Sequence, residues 1–214
     1  MDERNQIVSS DMSHHETVDY WGASDYIIDA KTGIHVDFMY FRTDFMQEQI
    51  ERVLLHHQAQ MGYSTAFWHT VQQSLSIYDR NDWFTQLQTL SQQPYPDALV
   101  KNIITLNMPL LADIATSYKA QILKAIERND VISLNHRVTA FLASYFDILF
   151  AINRRPHPGE KRLMQFALQC DKQPHNMQTD VMMLLNEVAQ PQQVPTVIDA
   201  LVENLKELVE NEVG

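Results

Sequence analysis

The chain has 214 residues, a formal net charge of -11 and a pI near 5.1, with 45% hydrophobic and 20% charged residues. That composition is ordinary for a globular protein and allows one large domain, or a small domain joined to a helical one. The acidic balance excludes a general nucleic-acid binder, because attraction to phosphate needs clustered Lys and Arg. The single cysteine, Cys170, excludes an internal disulfide and a multi-cysteine zinc site, and suits a reducing compartment. Five glycines are too few for a glycine-dense barrel or sandwich.

Residues 1–24 are polar and carry only a weak signal for a short strand or helix. They hold no basic region followed by an apolar run, so no secretory signal is expected. No apolar run approaches the roughly 18 residues that would span a bilayer. These features predict a cytoplasmic protein without a membrane partner. Residues 25–42 read as a β-hairpin turned by "AKTG", with Gly33 free to take positive φ. In its second strand Ile34, Val36, Phe38 and Tyr40 form one face, expected to pack on a core. His35, Asp37 and Met39 share the other.

From Asp44 the pattern turns helical. Phe45, Ile50, Val53 and Leu54 keep helical spacing, and a second helix is predicted from Ser64 or Thr65 through Tyr78. "DRNDWF" starts another. Pro94 and Pro96 break the chain, and Pro96 suits the first turn of the next helix. The stretch from Pro96 to Asp130 reads as two helices separated or kinked at Pro109. "VISLNHRVTAFLASYFDILFAINRR" is the most apolar helix and the expected centre, ended by "PHPGE". "EKRLMQFALQC" and two amphipathic segments, about 176–189 and 195–212, follow. The expected class is α+β: a small β-containing part, residues 1–43, and a helical bundle, residues 44–214. Leu201, Leu205 and Leu208 on the last helix would dock on that bundle or on a second copy of the chain.

Asp37 is a lone carboxylate among apolar neighbours. It faces water on an edge strand, or it is a ligand of Mg²⁺, which favours oxygen donors and phosphate. A two-metal phosphoryl-transfer site needs about three converging carboxylates, so Asp37 alone does not make one. The nine histidines include the adjacent pairs His14–His15 and His56–His57, which do not face one another on a helix, and surface histidines are expected. Trp68 and Trp83 read as core.

Several stretches together resemble a known family. "GIHVDFMYF" is similar to the strand that carries the third carboxylate of polymerase-β-superfamily nucleotidyltransferases. "GYSTAFWHTVQQSLSIYDR", "QPYPDALVKNII" and "VISLNHRVTAFLASYFDILFAINRRPHPGEKRL" resemble bacterial nucleotidyltransferase-like proteins with a DUF4037-type helical C-terminal domain. The resemblance implies Mg²⁺-dependent transfer of a nucleotidyl group from a nucleoside triphosphate to an acceptor hydroxyl, with Asp37 as catalytic metal ligand. It also implies a Gly-Ser turn and an Asp-x-Asp pair, which this sequence lacks. The chain is therefore expected to lack the first catalytic segment and to be inactive alone. The alternative is a noncatalytic ligand-binding or regulatory module, with a homodimer as one way to cover an open sheet edge. Asn135, His136 and Arg137, with Tyr145, Asp147, Asn153 and Arg154 further along the same helix, need partners if buried, and form either a structural hydrogen-bond network or, by resemblance, a wall of the nucleotide or acceptor pocket. Glu160 either suits a helix N-terminus or, by analogy, serves as general base, with Lys161 and Arg162 meeting phosphate.

Overall fold

The computed structural model describes residues 12–19 and 22–213. The class is α+β, and the chain divides into two compact units, Met1–Met46 and Gln47–Gly214.

The first unit is an antiparallel sheet of three strands in the order β1 (Met12–Asp19), β2 (Gly22–Asp29), β3 (His35–Met39). The predicted turn forms as read. Gly33 takes φ +68, its N–H donates to Asp29 O at 2.8 Å, and the Asp29 carboxylate accepts from Lys31 N at 3.2 Å and from the Thr32 hydroxyl. The weak strand signal ahead of the hairpin is β1, which covers one edge by pairing with β2, and β3 is the other edge. The face of β3 expected to be buried is not. Ile34 is 58% exposed, Phe38 45% and Tyr40 49%, because β3 is an edge strand of a single layer.

The second unit is helical. After α1 (Thr43–Leu54) come α2 (Ala66–Gln73), α3 (Trp83–Ser91), α4 (Asp97–Met108), α5 (Tyr118–Glu127) and α6 (Val131–Ile152). A five-residue α7 (Leu163–Ala167), α8 (Met177–Asn186) and α9 (Val194–Val213) complete it. Local chemistry sets the boundaries. The Asp79 carboxylate accepts the N–H groups of Phe84 and Thr85 in the first turn of α3. Ser117 and Asp130 cap α5 and α6 by accepting from Ala120 N and Ser133 N. Helix α2 stops at Gln73, five residues before its predicted end, where Ser74 is extended. Leu75, Ile77 and Tyr78 then stand in water rather than continuing an apolar stripe.

Pro109 opens a π-helical turn, Pro109–Asp113, and Ile114 is extended. Residues 97–127 are long and apolar enough to cross a bilayer by length and composition. The break at Ile114 divides them into α4 and α5, each well short of the roughly 20 residues a spanning helix needs. Both pack on α6, the centre of the bundle. The first half of α6 is amphipathic, with Leu134, Val138 and Phe141 buried, whereas Ser144–Ile152 is buried on every side. Helix α9 docks within the chain: Leu201 and Leu205 are buried and Leu208 packs against the same core.

Candidate functional site

Asp37 lies opposite Tyr26 across the β2–β3 ladder, on the face it shares with His35 and Met39, and its side chain is exposed. Tyr26 Oη and His35 Nδ1 are hydrogen-bonded on that face. The next acid on the sheet, Asp25, pairs with Phe38 and so points the other way, where the Tyr40 hydroxyl donates to it. Among the side chains described on β2 and β3, Asp37 is the one carboxylate on this face, short of the several that a two-metal Mg²⁺ site asks for. Among the described residues, no group of three His, Cys, Asp or Glu side chains could hold a metal ion.

The remaining predicted residues all lie in the helical unit, and they do not converge. Asn135, His136 and Arg137 are exposed on the first half of α6. Asn153 caps its C-terminal end, so Arg137 and Asn153 are about 24 Å apart along the axis at the ordinary helical rise. Asn153 is a staple: its Nδ2 donates to Leu149 O (2.9 Å) and Lys172 O (2.8 Å), and its Oδ1 accepts from Lys172 N (2.9 Å). Tyr145 is fully buried between Phe141 and Phe146, and burial pushes its phenol pKa upward, so it serves the core. Glu160, Lys161 and Arg162 are exposed in the turn ahead of α7. Glu160 does not open a helix as predicted. Arg162, at φ +57, intervenes before α7 begins at Leu163.

The polar groups that do come together surround Asp147, in the fully buried half of α6. Its Oδ1 accepts the Ser64 N–H at 2.9 Å and its Oδ2 lies 2.6 Å from Ser64 Oγ. Asn107 of α4 accepts the Gly62 N–H on Oδ1 (3.1 Å), while its Nδ2 donates to Gln60 O (3.0 Å) and Ile103 O (3.1 Å). Arg52 of α1 donates to Gln58 O (3.1 Å) and Ser64 O (2.8 Å). These bonds account for a segment without regular structure, residues 55–65, pressed onto two helices. Such a segment must find partners for its buried backbone groups outside itself. Gly62 is required here: at φ +75, a Cβ would stand 2.8 Å from Ala143 Cβ. His57 and Tyr63 also hold positive φ, a strained conformation that the network maintains.

Burial raises the Asp147 pKa to about 7, against the opposing pull of the Ser64 bonds and the Arg52 charge. His157, on the segment after α6, corrects the expectation of surface histidines, for it is fully buried. Its backbone N–H donates to Thr65 Oγ1 (2.8 Å), and its ring meets those of Tyr63 and Phe150 edge-on. Nδ1 accepts from Gly159 N at 3.0 Å, so the neutral ring carries its proton on Nε2. Burial, then the nearby His69, lowers its pKa to about 3.

Beside this network lies an open groove of about 470 Å³ between residues His56–Ala59 and Asn102, Thr105 and Leu106 of α4. One wall belongs to the 55–65 segment, and Asn102 Nδ2 ties the two walls by donating to His57 O at 2.8 Å.

Asp147 is one of the polar groups on α6 expected to need partners if buried, and Ser64 supplies them, a pairing that no sequence pattern marks. Trp68 is core, with its indole donating to Ser91 O at 2.7 Å, whereas Trp83 is half-buried.

A family model described as "Domain of unknown function (DUF4037)" matches residues 43–163. The match spans Arg52, Gly62–Thr65, Asn107, Asp147 and His157, and it excludes Asp37. No curated protein and no solved structure matches the chain.

Proposed function

Since this chain belongs to the DUF4037 family, we propose that it is a nucleotidyltransferase-like protein whose helical unit binds a phosphate-bearing ligand without itself performing nucleotidyl transfer. The observation that carries this reading is the groove. It has the volume of a small-molecule site, and neither Asp nor Glu lines it, in a chain with 27 acidic residues. Imidazole, amide and hydroxyl groups there supply hydrogen bonds to phosphate oxygens without opposing charge. The dispersal of Arg137, Asn153 and Glu160 over α6 and the turn beyond supports binding over catalysis, since transfer chemistry needs its groups within hydrogen-bond reach of one another.

In this reading Mg²⁺ is a companion of the nucleoside triphosphate rather than a resident of the helical unit. Asp37 is the residue the family resemblance would give the metal, and among the side chains described on β2 and β3 no second carboxylate shares its face. Amide NMR with ATP, GTP, CTP or UTP tests the proposal. Signals of His56–Ala59 and Asn102–Leu106 are expected to shift equally with Mg²⁺ and with chelator. Shifts that require Mg²⁺ and vanish in Asp37→Ala, or shifts confined to residues outside the groove, would overturn it.

A further inference from the structure

We propose that Asp147, Ser64 and Gln60 form a proton-operated latch that holds the 55–65 segment, and with it one wall of the groove, against the bundle. The geometry gives this network two arrangements. With Asp147 neutral, its carboxyl proton is donated to Ser64 Oγ across 2.6 Å, and the Ser64 hydroxyl donates to Gln60 O at 3.2 Å. The Gln60 N–H, 3.0 Å from Ser64 Oγ, is accepted as well. Every polar atom of Asp147 and Ser64 then has a partner. When the proton leaves to solvent, the Ser64 hydroxyl turns to Asp147 Oδ2, and the Gln60 carbonyl keeps only the Asn107 amide. A buried anion remains, and the nearest cation, Arg52, is bonded to the backbone of Gln58 and Ser64.

The groups around Asp147 leave the change of charge to this one residue. Arg52 on α1 is cationic throughout. Tyr63 within the segment is raised by burial, then by the Glu160 and Asp147 charges, Tyr95 ahead of α4 is raised by burial and the Asp147 charge, and both stay neutral. His157, beyond Thr65 and Tyr63, is held neutral at physiological pH. The segment also has reason to move. Its three positive-φ residues, His57, Gly62 and Tyr63, are held by hydrogen bonds rather than by regular structure.

The direction follows from linkage. A lifted segment hydrates Asp147 and returns it towards its ordinary value of 3.8, whereas the closed form holds it near 7. Closure is therefore strongest below the lower value and weakens as pH rises to the upper one. The groove opens as the pH approaches neutrality. The latch stands on the network alone, so it survives even if no phosphate compound enters the groove.

The test is amide hydrogen exchange of Gly62 and Ser64 in the full chain, corrected for intrinsic rates, from pH 5.5 to 7.5. The wild type should lose at least about tenfold of protection at both amides across that range. Asp147→Asn, whose amide reproduces the donor and acceptor of the neutral acid, should stay flat within about twofold. A flat wild type, or an Asn variant that follows the wild type, overturns the latch. Titration of the Asp147 carboxyl carbon in the wild type is independent of any variant's folding. Its midpoint must coincide with the loss of protection, and a midpoint near that of an exposed aspartate contradicts the proposal.

Discussion

Asp37 and Asp147 stand in stretches of similar apolarity, "HVDFM" and "YFDIL", and the two surroundings differ completely. Along β3 the side chains alternate, and the strand is an edge of a single sheet layer, so Asp37 meets water. Along the second half of α6 neighbours surround the helix on all sides, and Asp147 is enclosed with a polar network built to receive it. An acid among hydrophobic residues is thus informative only once the period of its element and the layers around it are known. The comparison also separates appearance from role: Asp37 looks like a catalytic ligand, while Asp147 organises the fold.

The comparison breaks most sharply if Asp147 is removed. Asp147→Ala strands the buried Ser64 N–H and hydroxyl, so urea unfolding should show a loss of about 3 kcal/mol. A loss comparable with that of a surface change would mean the network is incidental. Gly62→Ala should cost about 2 kcal/mol through positive φ and collision with Ala143, measured the same way. Asn153→Ala removes the staple to Lys172 and should cost about 1 kcal/mol. Asp37→Ala should stay within about 0.5 kcal/mol, because the residue is exposed.

Acidity sharpens the contrast from another side. His157 has a folded pKa near 3, below its ordinary 6.5, so the folded state binds fewer protons between those values. Its contribution is full above 6.5 and is lost as pH falls towards 3. Asp147 runs the opposite way across nearly the same window, so wild-type stability between pH 4 and 7 is expected to be flatter than either group alone would make it. Asp147→Asn should unmask a stability that rises with pH. His157→Gln should unmask one that falls. Chemical denaturation at a series of pH values reads both slopes.

Much of this fold was legible in the residues. Pro94 and Pro96 mark the break between α3 and α4, with Pro96 as the extended residue just ahead of α4 rather than in its first turn, "AKTG" turns the hairpin, and the apolar run after Val131 is the central helix. Those features are local and leave a local signature. The early end of α2 was not legible, because Leu75 and Ile77 continue an apolar pattern that nothing in the helical unit buries. The site was less legible still. Ser64 and Asp147 are brought together by tertiary packing, as are Asn107 and Gln60, and no periodicity marks such a pairing. The residues that resemble a nucleotide pocket are neighbours in sequence, and the length of α6 keeps its two ends apart.

The central claim is that this chain carries a binding unit and no transfer centre of its own. The most direct measurement is transfer of label from α-³²P nucleoside triphosphates to an acceptor in the presence of Mg²⁺, for wild type and Asp37→Ala. The account predicts no transfer above background for either. Transfer by the wild type that disappears in Asp37→Ala would contradict it and would place the chemistry on β3.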